Sequence, residues 1–508
     1  MWEGLEDEIV LVCSRKIRQH ERRRSALSAE LMRRRKRSIG DPGSMSDQLP
    51  DLWRANPNLD PYSVLRRAAS LAHGIRRAAH KGLYHPRPPT YFDVRKSGGS
   101  TRRVASFEIA DEAVSRLLFR SLHSKNRSLF GAHTYAYRQD VGVYDAVRYV
   151  SSEWSRHARL FVGEYDLKSY FDSLSHDYLF SSLADTKTLH ALPEEIHYCK
   201  EFVRVHSGSA GHQGVSARSG IPQGTTVSLF LANLAMLPLD RDLERIGVGF
   251  TRYADDTLLW SPDYATICRG VEAVHKWSEL SGVALNSGKS PGIRLLVADE
   301  RLATEMRSVL DVEYLGHRIA IGSVRPKRSR MRDIRSQIVA IVYATLLKEP
   351  MSGTQRLSRV AGGLDRDYVS LIWQLRRLLY GRLSERQVRR LSRGVVPRTG
   401  LSGVVAQFPV VSDTDDFRSL DRWIRRRVWL ALRRRATLLS PKITGAKPAV
   451  WDKSIGDLIS ATARSSSTGQ PIDLTLPSAG LMAAVVQRAI QLHGPGVVRG
   501  STRLYLEP

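Results

Sequence analysis

The sequence predicts an α+β chain, and three observations predict it. Between Tyr91 and about Ile321, short apolar segments of strand length alternate with helical stretches. One of them, Arg159-Leu160-Phe161-Val162-Gly163-Glu164-Tyr165-Asp166, runs directly into a carboxylate. After Arg325-Pro326-Lys327 the chain turns helical and arginine-rich to about Ala436. Before Tyr91, the proline-rich break His85-Pro86-Arg87-Pro88-Pro89 closes off a basic N-terminal region. The divisions expected are therefore residues 1–85, 86–325, 326–440 and 441–508.

The N-terminal region carries runs from Lys16-Ile17-Arg18 through Arg33-Arg34-Arg35-Lys36-Arg37, with Leu and Ile at helical spacing. It reads as one or two basic helices, either a solvated arm or a contact for RNA. In the arginine-rich part, Phe417, Leu420, Ile424, Val428 and Ala431 fall on one helical face. Arg418, Arg422, Arg425 and Arg426 lie largely off it. The plain reading is a packing helix with a solvated back, but seven arginines between Arg422 and Arg435, interleaved with Trp423 and Trp429, favour a nucleic-acid-facing surface. From Ser440 onward the chain mixes Pro, Gly and Ser with two modest apolar segments and carries no functional signal.

Composition points to a polyanionic partner. Lys and Arg number 78 against 51 Asp and Glu, a formal charge of +27, and a chain this basic binds phosphate backbones without reading their sequence. Its 508 residues, 42% of them hydrophobic, suffice for roughly three domains. Cys13, Cys199 and Cys268 lie far apart without a CxxC, which argues against a disulfide framework or zinc module and fits a reducing cytoplasm. The most apolar stretch, Val227 to Leu239, is interrupted by Asn233 and Pro238 and is too short to span a bilayer, and no signal-peptide core is seen. A soluble cytoplasmic protein without a membrane partner is expected.

The chemistry concentrates in Tyr253-Ala254-Asp255-Asp256, two carboxylates on one tight turn after the strand Gly249-Phe250-Thr251-Arg252. With Asp166 delivered from another strand, they make a site for two divalent cations. Phosphoryl transfer uses such a pair, one ion activating the attacking oxygen and one stabilising the leaving phosphate. An isolated Asp pair in an exposed turn is common; its order behind Asp166 and the loop Ser219-Gly220-Ile221-Pro222-Gln223-Gly224 is what gives it weight.

Taken in order, these segments resemble a reverse transcriptase of the bacterial group II intron-like and retron-like lineage, over about Tyr91 to Ile321 and more loosely to about Ala436. The resemblance implies a right-hand polymerase: fingers, a palm of antiparallel sheet with helices, a helical thumb, and extensions at both ends. Lys96-Ser97-Gly98-Gly99-Ser100-Thr101-Arg102 is similar to the fingers motif, in which Lys96 and Arg102 would clamp the triphosphate of a dNTP. Arg138, in Thr134-Tyr135-Ala136-Tyr137-Arg138, would lie near template or nucleotide. Asp166-Leu167-Lys168-Ser169-Tyr170-Phe171 resembles the first palm motif. There Asp166 and the Leu167 carbonyl would bind metal, and Phe171 would stand at the sugar gate that disfavours a 2′-hydroxyl.

Gln223 would contact template or primer, and Gly224 would admit the base pair. Asp255 would be the second metal ligand with Asp256 in support, the ions being two Mg²⁺, or Mn²⁺ in their place. Lys289, in Leu285-Asn286-Ser287-Gly288-Lys289-Ser290, would protonate the leaving pyrophosphate. Tyr314-Leu315-Gly316-His317 resembles the primer-grip hairpin, with His317 structural. Leu420-Asp421-Arg422-Trp423-Ile424-Arg425-Arg426-Arg427 resembles the arginine-rich helix of group II intron maturases.

The implied reaction is attack of a primer 3′-oxygen on the α-phosphate of a dNTP, giving DNA from an RNA template. The chain departs from the family pattern at Leu229, where a proline usually follows the serine. It also lacks both the Cys/His endonuclease cluster of mobile-intron proteins and the Val-Thr-Gly of retron enzymes near Tyr314. The basic arm and the tail look most like the domesticated, defence-associated reverse transcriptases, working with a structured noncoding RNA. An intron-type maturase or RNA chaperone is the alternative, and an RNA-copying RNA polymerase on the same palm is opposed by Phe171. Template, primer and oligomeric state stay open.

Overall fold

The computed structural model describes residues 2–41, 43, 49–95, 101–185, 187–209, 218–299, 301, 305–394, 400–464 and 470–498. Its centre is a sheet built from β3 (Arg159–Tyr165), β4 (Gly249–Tyr253), β5 (Asp256–Ser261), β6 (Ile293–Val297) and β7 (Ser308–Val309). They are ordered β4-β5-β3-β6-β7. Pairing is antiparallel except for the short parallel contact of β6 with β7 at the edge, which the sequence reading did not anticipate. Ahead of this sheet lies the antiparallel hairpin β1 (Thr90–Arg95) and β2 (Thr101–Ser106), registered Thr90 to Ser106. After it comes a small meander of β8 (Val312–Tyr314), β9 (His317–Ala320) and β10 (Ser323–Pro326).

β3 is apolar almost throughout because both faces of the sheet are covered. Phe161 and Tyr165 belong to the core formed with the helices Thr226–Ile246 and Tyr264–Ser281, whereas Leu160 and Val162 pack on the other side with the helix Val143–Trp154. The helix Thr226–Ile246 runs unbroken through Pro238. Among the described residues, no helix is long and apolar enough to cross a membrane.

The expected divisions at 85 and 440 both run through hydrophobic cores. Leu5, Ile9, Val12 and Cys13 share one core with Val114 and Leu118 of the helix Ile109–Lys125. Met331 through Val498 share another, so the segment after 440 completes the arginine-rich helical region rather than trailing from it. The expected apolar face is realised in the helix Asp415–Leu439, where Phe417, Leu420, Ile424, Val428 and Ala431 are buried.

The N-terminal region is dominated by one helix, Leu5–Arg37, about 50 Å long at 1.5 Å per residue. Its first turns dock on the helix Ile109–Lys125. There buried Glu8 pairs with Arg116 at 2.6 Å and with Arg120, and Arg15 and Lys16 reach Glu112 at 2.8 and 2.9 Å. Its far end meets the arginine-rich region: Arg37 faces Glu349 at 3.6 Å, Ile39 N–H donates to Thr354 at 2.8 Å, and Arg356 N–H donates to Arg37 at 2.8 Å. Residues 21–27 between these anchors are exposed all round, as in a helix that bridges two parts of a protein through solvent.

Candidate active site

The sheet register brings the expected carboxylates to one end of the palm. Tyr253 pairs with Asp256 across the β4–β5 turn, and Tyr165 pairs with Thr257, so Asp166 follows β3 at the level where Asp256 begins β5. Their charges interact. Burial, then Asp255, then Asp166 push the Asp256 carboxyl up to about 7, although the residue keeps surface open to solvent. Burial also raises Asp255; Asp166 adds to the rise, whereas Arg102 and Lys289 oppose it.

The Leu167 carbonyl shares this end. Lys168 N–H donates to Ala284 and Asn286 N–H donates to Asp166, both at 2.8 Å, which makes Leu167 and Leu285 a pair without mutual hydrogen bonds. The Leu167 carbonyl therefore does not bond Leu285.

Asp166 itself is engaged from the other side. Asn286 Nδ2 donates to Oδ2 at 2.8 Å, Lys289 Nζ stands 3.2 Å from the same oxygen, and Ser290 Oγ accepts from the Asp166 N–H at 3.2 Å. Among the described residues, no three His, Cys, Asp or Glu side chains are already gathered around one ion position. The donor set nonetheless fits Mg²⁺, which takes hard oxygens and needs only one or two carboxylates plus substrate phosphates and water. Asp166 would exchange the Lys289 ammonium for an ion, and the raised carboxyls of Asp255 and Asp256 are groups that a cation would return to the charged state.

The turn between β4 and β5 holds Ala254 at φ 59°, in the left-handed region. Among the described residues, the other non-glycine positions with positive φ are Tyr137, Ser169 and Leu315. All four fall in motifs that the sequence singles out, and strained backbone of this kind collects at functional sites. Leu315 at 45° and Gly316 at 80° form the two-residue turn between β8 and β9, beside buried His317, whose Nδ1 lies 2.9 Å from the Leu315 carbonyl.

The remaining expected residues divide. Arg102 Nε donates to Gln223 Oε1, joining β2 to the Pro222-Gln223-Gly224 loop, and Ala105 N–H donates to the Gln223 carbonyl at 2.7 Å. Gly224 has φ 129°, and a Cβ there would lie 2.2 Å from the Ala105 carbonyl oxygen, so this glycine is required by the fold itself. Phe171 is buried, packed edge-on against Tyr170, with its carbonyl accepting from Ile221 N–H at 2.7 Å.

Arg138 differs from expectation. Its guanidinium is spent on Asp140, at 3.1 and 2.7 Å, and on the carbonyls of Phe130, Gly131 and Thr134, which makes it a lock for its own loop rather than a group turned to nucleotide. Lys96 lies outside the described residues.

Sequence reasoning missed Asn286 as the partner of Asp166, and it missed Arg252. That arginine is fully buried in β4 and makes a double ion pair with Asp240, at 2.7 and 2.6 Å. An arginine inside an otherwise apolar strand was the available signal, since charged residues are almost never fully buried unpaired.

Residues 94–319 match the family model for reverse transcriptase (RNA-dependent DNA polymerase). Solved structures similar to this chain include telomerases from Candida. One is an apo telomerase from Candida Tropicalis truncated from the C-terminal domain, with TM-score 0.35 and 12% identity, covering 47% of this chain and 55% of that one. A Candida albicans telomerase with a TWJ fragment of telomeric RNA gives TM-score 0.37 and 12% identity, covering 70% and 63%. A Candida Tropicalis telomerase with the same kind of fragment gives 0.37 and 11%, covering 74% and 66%. The match thus spans less than two thirds of each of these chains. No curated protein matches the chain.

Proposed function

Residues 94–319 are a reverse transcriptase domain, of the RNA-directed DNA polymerase class of nucleotidyltransferases, and from that premise we propose that the whole chain copies RNA into DNA by nucleotidyl transfer at Asp166, Asp255 and Asp256. The observation that carries this reading is the register that sets Asp166 level with the start of β5, next to the strained Asp255 turn. Asp166, the Leu167 carbonyl, Asp255 and Asp256 would hold two Mg²⁺. When bound, the ions activate the primer 3′-oxygen and neutralise charge on the phosphates.

The chain's own groups do the positioning. Asn286 fixes the Asp166 carboxylate, and Arg102 and Gln223 form a joint polar edge for the incoming nucleotide and its template base. Phe171, buried against Tyr170 at the sugar-gate position of the motif, would disfavour a 2′-hydroxyl and so favour dNTPs. Lys289 stands where its ammonium can pass from Asp166 to a departing pyrophosphate and deliver a proton there.

The setting proposed is cytoplasmic, with a structured noncoding RNA as partner and template, in a defence-associated role against phage. The long basic helix Leu5–Arg37 supports an RNA partner. The test is direct: purified protein with RNA template, primer, dNTPs and Mg²⁺ extends the primer, and the Asp255→Ala/Asp256→Ala variant does not. Equal extension by that variant would overturn the assignment. Sequencing the nucleic acid that copurifies identifies the template, and random cellular RNA there would remove the dedicated-RNA proposal.

A further inference from the structure

We propose that Arg252 is a positioning residue for the metal ligand Asp255, holding the catalytic turn in its strained form from inside the palm. The proposal rests on the two-ion reading of the site and adds to it the group that sets the geometry. An arginine has five N–H donors in a rigid fork, and in Arg252 all five are used. Nε and Nη2 take the two carboxylate oxygens of Asp240 at 2.7 and 2.6 Å, Nη1 takes Asn233 Oδ1 at 3.0 Å, and Nη2 also lies 3.4 Å from Thr134 Oγ1. The fifth bond runs from Nη1 to the Ala254 carbonyl at 3.1 Å.

That last contact is the informative one. Ala254 is the residue at φ 59°, and its carbonyl belongs to the peptide that leads into Asp255. A left-handed alanine is strained, because its Cβ crowds the carbonyl oxygen that follows, so something must hold it there. Arg252 lies two residues away and cannot relax, because its partners are themselves fixed. Thr134 Oγ1 donates to Asp240 at 2.8 Å, Asn233 Nδ2 donates to the Ala136 carbonyl at 2.8 Å, and Tyr135 N–H donates to the Arg252 carbonyl at 3.0 Å. One guanidinium therefore ties the helix Thr226–Ile246, the Thr134–Tyr137 loop and the catalytic turn into a single fully satisfied unit. Partners that orient metal ligands in this way typically change metal affinity by roughly 10- to 100-fold when removed.

The test separates positioning from plain structural support by using two variants. Arg252→Lys keeps a cation for Asp240, but a point-like ammonium cannot also span Asn233 and the Ala254 carbonyl. The double variant Arg252→Met/Asp240→Leu removes the buried pair as a whole, a change that such sites tolerate in stability far better than loss of one partner. Binding of Mn²⁺ to the full chain, without nucleic acid, is followed by the loss of the free-ion paramagnetic resonance signal, alongside thermal melting.

The expected result is Mn²⁺ binding weakened roughly 10- to 100-fold in both variants, with the double variant melting close to the parent. Parent-like Mn²⁺ affinity in a folded variant of either kind overturns the proposal, as does a loss of affinity that only tracks a loss of melting temperature. Asp255→Asn is the control for the underlying reading. If Asp255→Asn leaves Mn²⁺ binding untouched, the two-ion site itself fails; if it abolishes binding while the Arg252 variants do not, only the positioning role fails.

Discussion

Among the described residues, two arginines are fully buried with aspartates, Arg252 in the central sheet and Arg435 in the helical region that follows, and each makes five hydrogen bonds. Those of Arg435 run to Asp365 at 2.7 and 3.3 Å, Asp367 at 2.8 Å, Gln355 at 3.1 Å and the Leu346 carbonyl at 2.7 Å. Each guanidinium is destabilised by burial and held charged by its carboxylates. The difference lies in the backbone carbonyl that each one holds. For Arg252 it belongs to the strained turn that leads into Asp255, the proposed metal ligand. For Arg435 it belongs to the π-helical turn Tyr343–Leu347, and Trp451 from the following segment donates to Asp365 at 2.9 Å. The same electrostatic device thus secures the turn of the proposed site in one place and joins helical segments in the other, with one aspartate in the first case and two in the second.

The comparison can be broken at either end. The largest expected effect is on the palm side: Asp255→Ala/Asp256→Ala should reduce primer extension at least ~1000-fold, since several kcal/mol of transition-state stabilisation go with the ions. Melting temperature should hold or rise, because crowded carboxylates are removed; a matching loss of melting temperature would assign the pair to stability instead.

Next, Arg435→Met should destabilise the chain by about 3–5 kcal/mol by leaving Asp365 buried without its cation and Asp367 with Arg359 alone. Denaturant unfolding should record this while Mn²⁺ affinity in the surviving folded fraction stays at the parent value. A change in that affinity would place Arg435 in the catalytic unit after all.

Gly224→Ala comes third, at about 1–3 kcal/mol, because both its φ and the Ala105 carbonyl oppose a side chain. Amide exchange should show the loss centred on Ala105 and Gln223, and protection unchanged there would mean the loop is less constrained than it is drawn.

The smallest stability effect belongs to Lys289→Gln. An exposed pair with Asp166 is worth about 0–1 kcal/mol, so melting should hardly move, while extension falls by roughly 100-fold if the ammonium acts as the acid. Unchanged extension would reduce Lys289 to a charge partner of Asp166.

How much of this was legible from the sequence depends on whether a residue's task is local. The placement of Asp166 at a strand end and of Asp255 and Asp256 on a tight turn could be read because these have recognisable sequence forms, and the buried face of Asp415–Leu439 could be read because helical periodicity is a local property. Arg435, four residues past Ala431, continues that same buried face in the run Arg433-Arg434-Arg435; its partners Asp365 and Asp367, on a segment distant in sequence, are what no local pattern reports.

Arg138 looked like a ligand-facing cation, yet it bonds Asp140 two residues on and the carbonyls of Phe130, Gly131 and Thr134, which converge only when that loop closes. The partnership of Arg252 with Thr134 and Ala254, and that of Asn286 with Asp166, join distant segments, and no spacing rule reports such pairs. The positive φ values were invisible for the same reason: alanine and leucine carry no signature for a left-handed backbone.

The helix Leu5–Arg37 has a mechanical meaning. Pinned to the helix Ile109–Lys125 at one end and to Glu349, Thr354 and Arg356 at the other, it works as a tie rod between the core around the central sheet and the arginine-rich helical region. Two bare turns of helix are marginal in water unless their ends are held. A swing of the arginine-rich region away from the palm must therefore either part the far anchorage or drag the rod with it. Were one anchorage to part, residues 21–27, exposed all round, would be the stretch that a protease reaches first.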